Sequence, residues 1–187
     1  MEFREFRLTG SGGQGLILAG IILAEAALKD GKNVVQSQSY GPEARGGASK
    51  AEVIISDNVI NYPKVEKCDV LLALTQESYD KYINTLKTGG VLIKDDKVIE
   101  TQKRDDIDVY SVPILYTANE ILKKPMVANM IALGCIYEVT NVINKCSLEE
   151  VVLNRVPQGT EDLNRKALNE GYKLIELLKG KVCHEIQ

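Results

Sequence analysis

Six residues near the amino terminus, Gly-Ser-Gly-Gly-Gln-Gly at positions 10–15, have the types and spacing of an anion-binding turn. Gly10, Gly12 and Gly15 match the G-x-G-x-x-G pattern of dinucleotide-binding folds. Glycine tolerates a positive φ and lets a ligand or a neighbouring element approach the backbone closely. An apolar stretch follows, and the N–H groups at the start of such a helix, here residues 13–16, favour an anion. We call residues 10–15 the glycine turn.

The next predicted strand lacks the acidic residue that NAD binding needs. That residue stands at the end of the second strand of a dinucleotide-binding unit and holds the ribose hydroxyls. Here the second strand covers residues 33–38 and ends in Gln36, Ser37 and Gln38. Three interpretations of the glycine turn stay open: binding of NAD, a purely structural role in tight strand–helix packing, and binding of another anion or of a partner surface.

Within the turn, Gly13 is the position where we expect the least tolerance of a side chain. A side chain there would intrude where the turn meets the helix and would force a strained backbone. We therefore expect Gly13→Val to damage folding or assembly more than Gln14→Ala does. Thermal unfolding of the two variants measures the difference.

A second loop, residues 39–47, is too rich in glycine and proline to be a helix or a strand. In a doubly wound sheet it lies at the carboxyl edge, beside the glycine turn. Its one strong cation, Arg45, could clamp a phosphate or carboxylate with two parallel hydrogen bonds. An ion pair of Arg45 with Glu43 or with a neighbouring subunit is the alternative. Likewise, Tyr40 either stacks on a ligand ring or lies at a subunit contact.

Few side chains outside these loops could carry catalysis. The four cysteines, Cys68, Cys135, Cys146 and Cys183, form no C-x-x-C pair, which argues against zinc or iron–sulfur ligation within this chain. His184 is the only histidine and stands near the end of the sequence. We therefore expect a chain that binds a ligand or completes a site, with no catalytic and no metal-binding residue of its own.

Alternating strand and helix patterns predict one α/β domain over residues 1–187 with a mostly parallel sheet. Residues 3–9 read as the first strand, and an apolar helix follows the glycine turn. A helix at 76–86 is expected to stop at Gly89 and Gly90, and the second half of the chain reads as helical. Capping boxes are predicted at Thr117 and Ser147.

Charge and hydropathy exclude several partners. The net charge of −3 provides no basic patch for nucleic acid. The longest apolar run, residues 16–24, is too short to span a bilayer, and the first residues do not resemble a signal peptide. We therefore expect a cytoplasmic protein that binds neither membrane nor nucleic acid.

Three stretches together resemble a known family. They are the glycine turn with the Leu-Ile-Leu-Ala-Gly-Ile-Ile-Leu that follows it, the block at residues 38–57, and Asn-Met-Ile-Ala-Leu-Gly at residues 129–134. Residues 6–178 are similar to the gamma subunit of 2-oxoacid:ferredoxin oxidoreductases. The Ser-Tyr-Gly-Pro-Glu-Ala-Arg-Gly-Gly form of the second loop resembles the 2-oxoglutarate branch, whereas pyruvate-type chains typically have Phe-Gly and a paired arginine there.

The resemblance implies a Rossmann-like, doubly wound fold with helices on both faces of the sheet. It also implies a complex that decarboxylates a 2-oxoacid on thiamine diphosphate and Mg²⁺, passes electrons through iron–sulfur clusters to ferredoxin, and forms an acyl-coenzyme A. The thiamine and the clusters would belong to alpha, beta and delta (ferredoxin-like) subunits, and this chain would serve assembly and coenzyme A access. The residues implied to lie at coenzyme A are Gly10, Gly12, Gly13, Gln14, Gly15, Ser39, Tyr40 and Arg45.

Other functions remain as alternatives. A related pyruvate or branched-chain 2-oxoacid oxidoreductase would use a similar gamma subunit. A stand-alone nucleotide-binding dehydrogenase would use the glycine turn differently, but the missing acidic residue and the scarcity of histidine speak against it. A pure scaffold would use both glycine-rich loops only to pack against a partner.

Overall fold

Six β-strands form one sheet. A computed structural model describes residues 3–38 and 48–184 of the chain, and these ranges contain all six. The strands are β1 (Phe3–Ser11), β2 (Asn33–Gln38), β3 (Ala48–Ser56), β4 (Cys68–Ala73), β5 (Leu86–Asp95) and β6 (Asp108–Val112). Their order across the sheet is β2-β3-β1-β4-β5-β6.

The sheet is parallel from β1 through β4 and β5 to β6, while β3 runs antiparallel to both of its neighbours. Ala51 of β3 pairs with Leu8 of β1 on one side and with Gln38 of β2 on the other. Two reversals restore the direction, so β2 and β1 point the same way and their carboxyl ends lie at one edge. The mostly parallel α/β sheet is confirmed, with β3 inserted between the first two strands.

Helices cover both faces of this sheet. They are α1 (Leu16–Lys29), α2 (Gln76–Tyr82), α3 (Ile114–Tyr116), α4 (Ala128–Thr140), α5 (Lys145–Arg155) and α6 (Glu161–His184). A π-helical segment, Thr117–Ile121, extends α3, and a 3₁₀ turn, Pro125–Val127, precedes α4. Within the described ranges, none of the helices combines the length and the apolar character needed to cross a bilayer.

The two faces enclose separate cores. Val53 and Ile55 of β3 point into the larger core with α1, α4, α5 and α6. Ile54, between them, points into the smaller core with Tyr79 of α2. Because successive strand residues face opposite sides and both sides are covered, residues 70–73 of the central strand β4 are all apolar and buried.

Gly89 and Gly90 lie inside β5 and do not stop a helix, so that prediction was wrong. Helix α2 ends at Tyr82, a 3₁₀ turn covers Ile83–Thr85, and β5 begins at Leu86. The pairing between β4 and β5 shifts here: Cys68 pairs with Leu86 and Val70 with Val91. Extra residues in one strand form a bulge, and Gly89 takes up the bend at a φ of +72°.

The two predicted capping boxes are also wrong, because each hydroxyl group donates to an oxygen outside its capping box. Thr117 donates to the carbonyl of Pro113 within a continuing helical segment. Ser147 lies inside α5 and donates to the carboxylate of Asp30, which follows α1. Asp30 also accepts hydrogen bonds from the backbone and side-chain N–H groups of Asn144, so its carboxylate fixes the start of α5.

Asp30 should make stability fall in acid. Partial burial would raise the pKa of Asp30, but the hydrogen bonds from Ser147 and Asn144, together with Lys32, outweigh it and hold the pKa below its ordinary value. The native state therefore binds the proton less readily than the unfolded chain, and this stabilisation is present above about pH 3.9 and lost as the pH falls through the native pKa. Asp30→Asn should lower the unfolding free energy at pH 7 by about 1–2 kcal/mol.

Urea unfolding of wild type and variant at pH 7 and at pH 3 measures this contribution. The difference between the two proteins should shrink at the lower pH. As a control, Asp105→Asn removes a carboxylate that is paired with Lys103 on an open surface, each side chain being 86% exposed. That change should stay within a few tenths of a kcal/mol. An Asp30→Asn effect that does not depend on pH would contradict the assignment.

Candidate functional site at the glycine turn

The glycine turn joins the end of β1 to the start of α1 and is closed by Gln14. The side-chain oxygen of Gln14 accepts a hydrogen bond of 2.8 Å from the N–H of Ser11. The backbone N–H of Gln14 points back to the carbonyl of Ser11 at 3.4 Å. Both of these groups of Gln14 therefore form hydrogen bonds within the turn and stabilise its shape.

Two of the glycines are required by close neighbours. A Cβ atom on Gly10 would lie 2.3 Å from the side-chain oxygen of Gln14 and 3.2 Å from the Cβ of Leu74. On Gly15 it would lie 2.5 Å from the side-chain nitrogen of Asn129, and Gly15 also has a φ of +70°. Tight packing thus accounts for Gly10 and contributes to the need for glycine at Gly15.

Gly13 differs, and the steric part of its prediction was wrong. Nothing lies within 4 Å of a Cβ placed there, so a side chain would not intrude on the helix start. Its φ of +87° still favours glycine. Gly12 and Gly13 are exposed, so this part of the turn is open to a ligand.

The start of α1 presents backbone donors of the kind that favour an anion. The first helical hydrogen bond runs from the N–H of Ala19 to the carbonyl of Gly15 at 3.0 Å. The N–H groups of the first turn, residues 16–18, therefore have no acceptor within the helix. Gly15, at the N-cap, supplies no side-chain cap, and the first turn holds no acidic residue. The partial positive charge of a 14-residue helix adds to these donors.

The residues that flank the second loop lie at the edge of the sheet that carries the turn. Ala48, the first residue of β3, pairs with Ser11, and Ser49 pairs with Gly10. Gln38, the last residue of β2, lies at the same edge. Residues 39–47, with Ser39, Tyr40 and Arg45, lie outside the described part of the chain. Their contacts with the turn remain predictions.

Asn129 is a site residue that sequence reasoning missed. Its side-chain nitrogen donates to the carbonyl of Gly15 at 3.2 Å, across 114 positions of the chain. Residues 129–134 stand out in the sequence only for their resemblance to the family, and that resemblance gives Asn129 no role. Asn129 also lines a cavity of about 210 Å³, together with Leu18, Met130 and Leu163. Asn129 therefore lies between the glycine turn and this cavity.

Asp95, at the carboxyl end of β5, is a second buried polar residue at this edge of the sheet. Burial raises the pKa of Asp95, although the backbone N–H groups of Leu115 and Lys97 donate to its carboxylate. The bond from Leu115 is 2.8 Å long and fixes the start of the helical segment after β6. Asp95 therefore positions the chain that leads into α4.

Two thiols are held in their protonated form. Burial raises the pKa of Cys68 to about 11 and also raises the pKa of Cys135. Cys146 is exposed. Within the part of the chain that the structure describes, no three His, Cys, Asp or Glu side chains are grouped in a way that could hold a metal ion.

Sequence comparison places this arrangement in a family. A family model described as pyruvate ferredoxin/flavodoxin oxidoreductase matches residues 5–174. The chain belongs to this family. One relative within it, the 2-oxoglutarate synthase subunit KorC of Methanocaldococcus jannaschii, is 49% identical over 94% of this chain and 95% of its own length. The pyruvate/ketoisovalerate oxidoreductases common subunit gamma of Thermococcus litoralis is 31% identical over 90% of this chain and 95% of its own.

Two solved structures share the fold. The keto/oxoacid ferredoxin oxidoreductase gamma subunit of Geobacter sulfurreducens matches with a TM-score of 0.84 and 47% identity, covering 93% of this chain and 97% of that one. A 2-oxoglutarate:ferredoxin oxidoreductase of Magnetococcus marinus, solved with 2-oxoglutarate, coenzyme A and succinyl-CoA, matches with a TM-score of 0.84 at 24% identity. It covers 95% of this chain and 32% of the longer one and shows the common fold.

Proposed function

We propose that the chain is the gamma subunit of a 2-oxoglutarate:ferredoxin oxidoreductase. The observation that carries this proposal is identity of 45–49% to three 2-oxoglutarate synthase KorC subunits over at least 92% of this chain. The complex would oxidatively decarboxylate 2-oxoglutarate, form its acyl-coenzyme A and reduce ferredoxin. Identity to the common gamma subunit of pyruvate and ketoisovalerate oxidoreductases is lower, at 31%, which makes that substrate class the second candidate.

In this proposal the chain serves assembly and coenzyme A access in a cytoplasmic complex. Alpha, beta and delta subunits would hold thiamine diphosphate, Mg²⁺ and the iron–sulfur clusters, and ferredoxin would accept the electrons. The composition of this chain supports the division: it has one histidine and no C-x-x-C pair. Its own residues would bind and orient a ligand rather than move protons or electrons.

The glycine turn is the proposed contact with coenzyme A. The diphosphate of coenzyme A is an anion, and the N–H groups of residues 16–18 with the dipole of α1 favour an anion. Gly12 and Gly13 leave room for it, while Gly10, Gln14 and Gly15 hold the turn in shape. From residues 39–47, Ser39 would add a hydroxyl, Tyr40 a ring for the adenine and Arg45 a guanidinium. NAD fits less well because no acidic residue ends β2.

Reconstitution tests the proposed function. The complex assembled from its subunits should reduce ferredoxin only with 2-oxoglutarate and coenzyme A, and only when this chain is included. The isolated chain, treated with iron and sulfide, should develop no cluster absorbance and turn over no 2-oxoacid. A cluster band in the isolated chain, or a preference of the complex for pyruvate, would overturn the proposal.

Arg45 should act in the assembled enzyme and not in the stability of the subunit. Losing a charge-assisted hydrogen-bonded pair costs about 1.5–3 kcal/mol, or roughly 10- to 100-fold in an equilibrium constant. Arg45→Ala and Arg45→Lys should therefore raise the KM for coenzyme A or weaken binding to the other subunits by that factor. Lysine keeps the charge but loses the planar fork.

Melting temperatures and coenzyme A kinetics separate the possibilities. The isolated Arg45 variants should melt within a few degrees of wild type. Arg165→Ala is a matched control, because Arg165 is half exposed and its ion pair is with Asp162 on its own helix. Wild-type KM and assembly in both Arg45 variants, or unfolding of the isolated chain, would show that Arg45 is structural.

A further inference from the structure

A single buried amide links the starts of two helices at the glycine turn. Asn129 is the second residue of α4 and is 3% exposed. Its side-chain nitrogen donates to the carbonyl of Gly15 at 3.2 Å, and its side-chain oxygen accepts from the N–H of Met130 at 3.0 Å. The first hydrogen bond is made to the turn before α1. The second satisfies the free N–H of Met130 in the first turn of α4.

The two partners fix the direction of this amide. The N–H of Met130 can only donate and the carbonyl of Gly15 can only accept, so the oxygen of Asn129 must face α4 and its nitrogen must face the turn. Aspartate has the same shape but no donor. At position 129 it would set a second oxygen against the carbonyl of Gly15 and repel it.

Gly15 and Asn129 also fit each other sterically. A Cβ atom added to Gly15 would lie 2.5 Å from the side-chain nitrogen of Asn129. The same Gly15 carbonyl accepts the first helical hydrogen bond, from Ala19 at 3.0 Å. Asn129 therefore acts on the peptide group that sets the direction of the free N–H groups at the start of α1.

We propose that Asn129 is a positioning residue that aligns the N–H groups of the glycine turn for the phosphates of coenzyme A. The inference rests on the proposed function, since it assigns no ligand of its own. A buried amide costs free energy unless both of its ends are bonded. Here the two bonds offset that cost and join α4 to the turn that Gln14 closes.

Asn129→Asp tests this role, and Asn164→Asp is the matched control. Asn164 is 7% exposed, lines the same cavity and donates from its side chain to the carbonyl of Thr160 at the start of α6, without a contact to the turn. Hydrogen exchange on the full chain and coenzyme A kinetics on the reconstituted complex are the two measurements.

In Asn129→Asp, exchange in residues 12–19 should accelerate about tenfold, and the KM for coenzyme A should rise about tenfold while kcat at saturating coenzyme A stays near wild type. In Asn164→Asp, exchange should accelerate at the start of α6 and the KM should not move. Asn129→Ala should give the same pattern with a smaller change, because it removes the donor without adding repulsion, and it serves as the test if the aspartate variant does not fold.

The outcomes distinguish a failure of the positioning role of Asn129 from a failure of the proposed function. Unchanged exchange in residues 12–19 in both Asn129 variants would overturn the positioning role, while the Arg45 variants would still test coenzyme A binding. Faster exchange with an unchanged KM would overturn coenzyme A binding at the turn. A fall in kcat with constant KM, or the same changes in Asn164→Asp, would show a structural role only and would also overturn the inference.

Discussion

Gly171→Ala is expected to lower the unfolding free energy by about 3 kcal/mol, at the upper end of what overpacking costs. A Cβ on Gly171 in α6 would lie 2.1 Å from the carbonyl oxygen of Ile131 and 2.9 Å from the Cα of Gly134, both in α4. These obstacles are backbone atoms and cannot rotate away. The two helices would have to separate, and the apolar side chains along their contact would lose packing. The melting temperature should fall by about 6–12 °C.

Gly180→Ala, farther along the same helix, is the control. Nothing lies within 4 Å of a Cβ on Gly180. Alanine has the higher helix propensity, so this variant should be as stable as wild type or more stable by up to about 1 kcal/mol. Gly134→Ala should repeat the loss seen at Gly171, since its Cβ would lie 2.3 Å from the carbonyl oxygen of Leu168. Equal stability of the Gly171 and Gly180 variants would contradict the close crossing.

Local chemistry made the first half of the site predictable. A strand, a glycine-rich turn and an apolar run each have a direct sequence signature, and β1, α1 and β2 lie where these signatures place them. The direction of β3 was not predicted, although the sequence holds a signal for it. Parallel neighbours need a crossover of a dozen or more residues, and only residues 39–47 separate β2 from β3. That short connection therefore favours an antiparallel pair, which we did not predict from the sequence.

Other features depend on partners that are distant in sequence. Gly89 and Gly90 read as a helix stop because a helix end and a strand bulge both favour glycine; in the bulge of β5, Gly89 takes the positive φ. Ser147 has the sequence context of a helix cap, yet its hydroxyl donates to Asp30, 117 positions away. Asn129 meets Gly15 across 114 positions. A local pattern cannot distinguish these long-range contacts from the local ones that it resembles.

The glycine turn offers a comparison between two glycines with similar backbones and different surroundings. Gly13 and Gly15 have φ values of +87° and +70°. Alanine at either position should cost about 1–2 kcal/mol in backbone conformation. At Gly13 the cost should end there, because nothing lies within 4 Å of the added Cβ. The difference in unfolding free energy between Gly13→Ala and Gly15→Ala therefore measures the effect of the residues that surround Gly15.

Gly15→Ala should cost about 2 kcal/mol more than Gly13→Ala, because the added Cβ displaces the buried amide of Asn129 and breaks its bond to the Gly15 carbonyl. In the complex, Gly15→Ala should also raise the KM for coenzyme A more than Gly13→Ala does. Urea unfolding and coenzyme A kinetics give the two numbers. The double variant Gly15→Ala/Asn129→Ala should lose less stability than the sum of the single variants, because both remove the same contact. Equal losses of stability at Gly13 and Gly15, or strict additivity in the double variant, would mean that the contact between Asn129 and Gly15 does not stabilise the turn.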